Sequence, residues 1–185
     1  MSKAPGPFAV RDVTVGDVTV RDVTVREARA DDFVDIQALY AHEVLFGTAT
    51  FETTPPTVDM LQMRWQESLS LELPYLVALK RGLLIGYAYA TAYRARPAYR
   101  FTAESSVYVA SEHHGQGVGR TLLTRLIGHC RLGQTRQVIA VIGGSDNAGS
   151  IALHTSVGFL EAGRLRDVGY KHGRWLDTVI MQHTL

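Results

Sequence analysis

Apolar positions along the chain follow two periods. After Phe33, the residues Ile36, Leu39, Tyr40 and Val44 recur at three- and four-residue steps, which predicts a helix capped by Asp31 or Asp32. A loop with two prolines over residues 51–56 leads to a second helix near 58–71, closed by Pro74. Residues 75–80 and 83–93 read as strands joined by a tight Arg81-Gly82 turn, and 102–110 as another. Val118, Leu122, Leu123, Leu126, Ile127 and Cys130 share one helical face, with Gly133 just past its end. A buried-type strand at 137–142, a helix at 147–157, and strands at 159–168 and 175–182 complete the series. Strands and helices in this irregular order predict an α/β (α+β) domain, a mixed sheet with helices on both faces.

Ahead of these elements stand three near-identical pentads, Arg11-Asp12-Val13-Thr14-Val15, Gly16-Asp17-Val18-Thr19-Val20 and Arg21-Asp22-Val23-Thr24-Val25. A five-residue repeat inverts the strand face at each copy, so the three cannot be equivalent half-buried strands. The last copy, running into Arg26, Glu27 and Ala28, is read as the first strand of the domain. Residues 1–21 are then a repetitive tail, mobile or loosely paired, and 22–185 the domain. A coding-sequence expansion without a role is the simplest account of the earlier copies.

Composition narrows the function. The chain of 185 residues is 46% apolar and 20% charged, as a globular domain is, and long enough to bury a real core. Nineteen basic against eighteen acidic residues leave a net charge of +1 without the basic excess of a nucleic-acid binder. No apolar run approaches a membrane span, and the single Cys130 cannot form an internal disulfide, so a cytoplasmic protein is expected. The seven histidines form no tight Cys/His cluster, and no metal is expected.

The most specific chemistry lies between Val107 and Arg120. A β-type run passes through Gly115, Gly117 and Gly119 straight into the amphipathic helix. Bare amides at a helix N-terminus bind phosphate oxygens, and glycine lets the chain approach a diphosphate with no Cβ in the way. The spacing fits neither the dinucleotide fingerprint, whose third glycine would fall at Arg120, nor the P-loop, whose lysine is missing.

Read with its surroundings, the run Ala103-Glu104-Ser105-Ser106-Val107-Tyr108-Val109 followed by His114-Gly115-Gln116-Gly117-Val118-Gly119 resembles the acetyl-CoA signature of the GNAT family of N-acetyltransferases. His114 stands where that motif has glutamine or arginine. Asn147, Ser150, Leu153, His154, Gly158 and Phe159 are similar to the family's second cofactor segment. The tail from Gly169 to Asp177, and Arg94 to Glu104, resemble the phosphinothricin and methionine sulfoximine acetyltransferase subgroup. The resemblance covers the chain from about Val23 onward. It implies the GNAT fold with a mostly antiparallel sheet, acetyl-CoA as co-substrate, a small amino-acid-like amine as acceptor, and a homodimer.

The resemblance also implies that the pantetheine arm adds to the strand at Val107, Tyr108 and Val109, while Gly115, Gln116, Gly117, Val118, Gly119 and Arg120 hold the phosphates. Asn147 can cap its helix, reach the pantetheine beside Ser150, or do both. Glu104 shares a strand face with Ser106 and Tyr108, and a charge inside an apolar strand needs a reason, so it is the expected general base. His154 occupies the position of a family tyrosine. It is either the proton donor to the leaving thiolate or a buried helix histidine, and Tyr170 and His172 are other candidates for that donor. Arg94 and Arg96 suit a carboxylate, phosphinate or sulfoximine oxygen. Phe51, Thr53, Tyr99, Lys171 and Trp175 are expected walls of the acceptor site. Two other readings are a protein N-terminal or other small-amine acetyltransferase, and a non-catalytic acyl-CoA-binding sensor.

Overall fold

The computed structural model describes residues 18–20 and 22–185. In chain order these form β1 (Val18–Val20), β2 (Val23–Glu27), α1 (Phe33–Phe46), α2 (Val58–Ser70), β3 (Tyr75–Lys80), β4 (Leu83–Ala92), β5 (Thr102–Val109), α3 (Val118–Leu132), β6 (Gln137–Gly143), α4 (Ala148–Ser156), β7 (Leu160–Lys171) and β8 (Arg174–Thr184). The eight strands make a sheet in the order β1-β2-β3-β4-β5-β6-β8-β7, in which β5 and β6 are the parallel pair. The other neighbours run antiparallel.

Both sheet faces are buried at its centre, which is why β3 reads as a nearly continuous apolar run. Leu76 and Ala78 join Val25, Ala88, Val138 and Ala140 under the predicted apolar face of α3. The alternate residues Tyr75 and Val77 meet Phe33, Ile36, Tyr40 and Val44 of α1 and Leu61 of α2. The sheet is therefore the middle layer, with α1 and α2 on one side and α3 and α4 on the other.

Several local expectations change. Asp32 does not cap α1; its carboxylate turns back to accept the Arg29 N–H at 2.7 Å and both arms of the Arg26 guanidinium at 2.7 and 2.8 Å. The chain enters α1 through a single tight turn at Ala30–Asp32. The second pentad contributes β1, paired antiparallel to β2, so the sheet begins ahead of residue 22; the first pentad lies outside the described residues. The β7–β8 hairpin reaches further than its apolar pattern, to a two-residue turn at His172 and Gly173 with φ of 50° and 75°. Positive φ at both turn residues matches the right-handed twist of the strands, and Arg81-Gly82 repeats the geometry at 52° and 81°.

Candidate active site

Strands β5 and β6 part in mid-sheet. Their pairing runs from Thr102 opposite Gln137 to Ser105 opposite Ala140, where the Ser105 hydroxyl donates to the Ile139 carbonyl at 3.3 Å. Beyond that point β5 stays with β4 as far as Val109 opposite Gly86, and β6 stays with β8 as far as Gly143 opposite Thr178. The gap is a cleft lined by Ser106, Val107 and Tyr108 on one side and by Val141, Ile142 and Gly143 on the other. Ala49, Asn147, Ser150 and His154 complete its walls. An edge of β5 that has lost its strand neighbour can hydrogen-bond an extended amide chain.

At the end of β5 the glycine loop turns into α3. Gly115 and Gly117 have φ of 72° and 85°, and nothing lies within 4 Å of the space a Cβ would take. Gly117 is the left-handed residue that starts α3, leaving the amides of the first turn to face an anion. Gly119 is different from its two predecessors. A Cβ there would sit 3.0 Å from Leu153, so this glycine serves the packing of α3 on α4 rather than ligand approach. Val118 is buried in the core and offers only its backbone, whereas Arg120 is exposed on the first turn. His114, which stands where the family motif has glutamine or arginine, ties the loop to the strand: its Nε2 lies 2.8 Å from the Val109 carbonyl. Gln116 donates to the Glu112 carbonyl at 2.8 Å and accepts from Lys80 at 3.4 Å.

Across the cleft, Asn147 caps α4 by accepting the Ser150 N–H at 3.2 Å. His154 is 3% exposed, and its Nδ1 sits 2.8 Å from the Ser150 carbonyl. A carbonyl can only accept, so the proton is on Nδ1 and Nε2 carries a lone pair, buried without a protein partner. Burial lowers the imidazole pKa, with the Ser150 contact opposing it. A neutral ring in this tautomer is a poor proton donor to a thiolate. His172 sits 3.2 Å from the Gly47 carbonyl and Tyr170 meets Trp175 edge-on outside the cleft, so neither stands in as donor there.

The other face of β5 carries Glu104, Ser106 and Tyr108. Glu104 is half-buried, and burial raises its carboxyl above the ordinary value while the Arg94 charge pulls the other way. Arg94 is exposed and stacks over Tyr93 at 4.8 Å; Tyr99 meets the same ring edge-on at 5.6 Å, and Arg96 leads into that turn. Next to them lies a group that sequence reasoning missed. Tyr75, Tyr87, Tyr89 and Tyr108 stack across three strands, with Tyr75 and Tyr89 4.8 Å apart and Tyr87 and Tyr108 5.1 Å apart. Tyr89 hydrogen-bonds Ser106, Tyr40 meets Tyr108 edge-on, and the Tyr40 hydroxyl lies 2.8 Å from that of Thr50. Arg64 of α2 donates to Glu52 at 2.7 Å, and this pairing outweighs burial in holding its guanidinium above the ordinary value. The available signal was a run of period-two tyrosines, whose hydroxyls need partners when buried.

Two expected walls are elsewhere. Trp175 is 62% exposed, against Tyr170 on the outside of the hairpin. Lys171 is buried, and its ammonium is taken up by the carbonyls of Thr50 at 2.8 Å and Glu43 at 3.4 Å, which makes it a tether of the α1–α2 loop. Phe51 packs over two strand glycines, Gly143 and Gly169, and a Cβ on either would collide with its ring or its loop. Thr53 lies within this loop. Cys130 is buried and its thiol is pushed up to about 12 by that burial, which removes it as a nucleophile. Among the described residues no three His, Cys, Asp or Glu side chains gather as metal ligands.

Comparison with known proteins agrees with this geometry. The profile of the acetyltransferase (GNAT) domain matches residues 25–180. The chain is 54% identical over 157 residues to a phosphinothricin N-acetyltransferase of Alcaligenes faecalis, covering 85% of this chain and 80% of that protein. It is 39% identical over 152 residues to an L-methionine sulfoximine/L-methionine sulfone acetyltransferase of Salmonella typhimurium, covering 82% and 88%. Its fold superposes with a TM-score of 0.84 on a crystal structure of a GNAT superfamily phosphinothricin acetyltransferase from Sinorhizobium meliloti in complex with AcCoA, at 47% identity over 89% of each chain.

Proposed function

The chain belongs to the GNAT acetyltransferase family, and from that footing we propose that it moves the acetyl group of acetyl-CoA to the amine of an acceptor of the phosphinothricin, methionine sulfoximine or methionine sulfone type. The observation that carries this reading is the end of β5–β6 pairing at Ser105, next to a left-handed glycine loop at the start of α3. A strand edge and a helix N-terminus in sequence suit an amide-bearing arm that ends in a diphosphate.

Amides from Gly115 to Arg120 hold the pyrophosphate, and the free edge of β5 at Val107, Tyr108 and Val109 pairs with the pantetheine. Asn147 and Ser150 face it from α4. The acceptor enters from the tyrosine face, its acidic end held by Arg94 and Arg96. Glu104 takes a proton from the acceptor ammonium, and the neutral amine attacks the thioester carbon. Strand N–H groups stabilise the oxyanion, because they are already oriented before charge develops. Collapse breaks the C–S bond. The thiolate, whose thiol has a pKa of about 8.5, leaves without an obligatory acid and becomes CoA-SH with the second proton released by the acylated nitrogen as the amide forms. Transfer is direct, within a ternary complex.

The partly exposed apolar residues Leu160, Leu165, Val168, Tyr170 and Trp175 of the β7–β8 hairpin support a homodimer through this edge of the sheet. The cytoplasm, where acetyl-CoA is made and used, is the proposed place of work, and acetylation would there disarm an inhibitory amino-acid analogue. The test is acceptor-dependent CoA release. Phosphinothricin and methionine sulfone should turn over far faster than a polyamine or an N-terminal peptide; the opposite ranking, or release with no acceptor, overturns the reading.

A further inference from the structure

Lys171 is buried with 4% exposure, yet both of its hydrogen bonds go to backbone carbonyls rather than to a carboxylate. Burying an ammonium is costly unless its donors are satisfied; the 2.8 Å bond to Thr50 is the strong one, and the nearby Glu43 and Glu52 charges oppose the burial that lowers its pKa. One partner, Glu43, also accepts the Gly47 N–H at the closing turn of α1, where the helix dipole favours a cation. The other, Thr50, lies in the following loop and shares its hydroxyl with Tyr40.

The same end of the hairpin grips the same loop at two further points. His172 meets the Gly47 carbonyl at 3.2 Å, and the absence of a side chain at Gly169 leaves room for the Phe51 ring. On its far side the loop is held to α2 by Glu52 and Arg64 at 2.7 Å, and to α1 by Gln37, which donates to the Pro56 carbonyl at 3.1 Å. Ala49 in the middle of this loop lines the cleft.

The geometry points to Lys171 as a positioning residue for the acceptor: by holding the carbonyls of Glu43 and Thr50 it sets residues 47–53, and with them Ala49, Phe51 and Glu52, at the mouth of the cleft. This rests on the acetyltransferase reading above. The donor site, built from β5, the start of α3 and α4, meets this loop at Ala49 and has no described hydrogen bond to Lys171. Acceptor binding should therefore depend on it far more than acetyl-CoA binding does.

The experiment compares the full-length wild type with Lys171→Met and Lys171→Arg, using hydrogen exchange, acetyl-CoA calorimetry and steady-state kinetics with methionine sulfone. In Lys171→Met, amides 47–53 should exchange faster while those of α3 and β5 do not. KM for the acceptor should rise roughly tenfold or more, as expected when a positioning element shifts by about an ångström. Acetyl-CoA affinity should stay at the wild-type value, and Lys171→Arg, which keeps a cationic donor, should recover part of the acceptor KM. If Lys171→Met does not fold, Lys171→Gln, which keeps a donor without the charge, carries the same comparison. An unchanged acceptor KM, an equal loss of donor affinity, or exchange raised uniformly along the chain overturns the proposal. Silence of the wild type toward every acceptor would count against the acetyltransferase reading instead. The exchange arm would then stand alone, with unchanged protection of 47–53 overturning the clasp.

Discussion

The Nδ1 of His154 lies 2.8 Å from the carbonyl of Ser150, one turn earlier in α4, and this contact settles which imidazole tautomer lines the cleft. The proton is on Nδ1, Nε2 is a bare acceptor, and burial favours the neutral ring. In the proposed mechanism His154 therefore serves as an acceptor facing the cleft and not as the acid that protonates the thiolate. His154→Gln should weaken acetyl-CoA binding while the kcat profile keeps its shape from about pH 6 to 9, around the ordinary histidine value. Loss of the alkaline half of that profile would restore the histidine as proton donor.

The three glycines of the cofactor loop are not equivalent. Gly117→Ala places a side chain on a residue with φ of 85°, which costs about 1 kcal/mol or more and twists the amides away from the phosphates. Its KM for acetyl-CoA should rise. Gly119→Ala meets only the flexible end of Leu153 at 3.0 Å and should cost some stability with acetyl-CoA KM nearly unchanged. Thermal melting and donor titration of both variants check the distinction.

What could be read from sequence follows from how local each feature is. The strands β3, β4 and β5 and the apolar face of α3 depend on spacing within single elements, and they appear where the pattern puts them. The glycine loop is legible for the same reason, since its strand, glycines and helix are contiguous. Lys171 is expected from sequence as an acceptor wall, but its tether to the α1–α2 loop could not be read, because its partner Thr50 is 121 residues away and a buried lysine looks in sequence like any other. The pairing of Arg64 with Glu52 and the tyrosine stack across three strands likewise exist only once the sheet is assembled. Gly143 and Gly169 did carry a signal, as a glycine inside a strand marks a close approach. Nothing in the sequence named Phe51 as what approaches.

That approach gives a coupling test. A Cβ at Gly169 would collide with the Phe51 ring. Gly169→Ala should lower the melting temperature, and Phe51→Ala in the same chain should return part of the loss. The two effects should fall well short of additive, as they do for residues in contact. Simple additivity would mean that the ring does not occupy the notch.

The pairing of Arg26 with Asp32 should show in acid stability. Burial acts to raise the Asp32 carboxyl, but the Arg26 hydrogen bonds, the Arg29 N–H and the nearby guanidinium charges outweigh it and hold it below the ordinary value. A carboxyl lowered in the folded state stabilises above its unfolded pKa of about 3.9, and that stability drains away as pH falls through the folded value. Asp32→Asn should cost roughly 2–3 kcal/mol at neutral pH, as for a largely buried charged hydrogen bond. The gap to wild type should close below about pH 3.9, the unfolded carboxyl value. A gap constant with pH in denaturant melts contradicts this.

In the mechanism proposed above, Glu104 is the general base. Half-buried on β5, with its carboxyl raised by burial and Arg94 opposing, it has to be ionised to take the amine proton. The rate should therefore rise with pH through an acid limb displaced above the usual carboxylate range, as the base gains its charge. The direct measurement is kcat/KM for methionine sulfone acetylation against pH, in wild type and in Glu104→Gln, with acetyl-CoA affinity measured beside it. The account predicts that the variant binds acetyl-CoA normally, turns over roughly a hundredfold more slowly or worse, and loses the acid limb. A variant that keeps both the wild-type rate and the wild-type acid limb would contradict it.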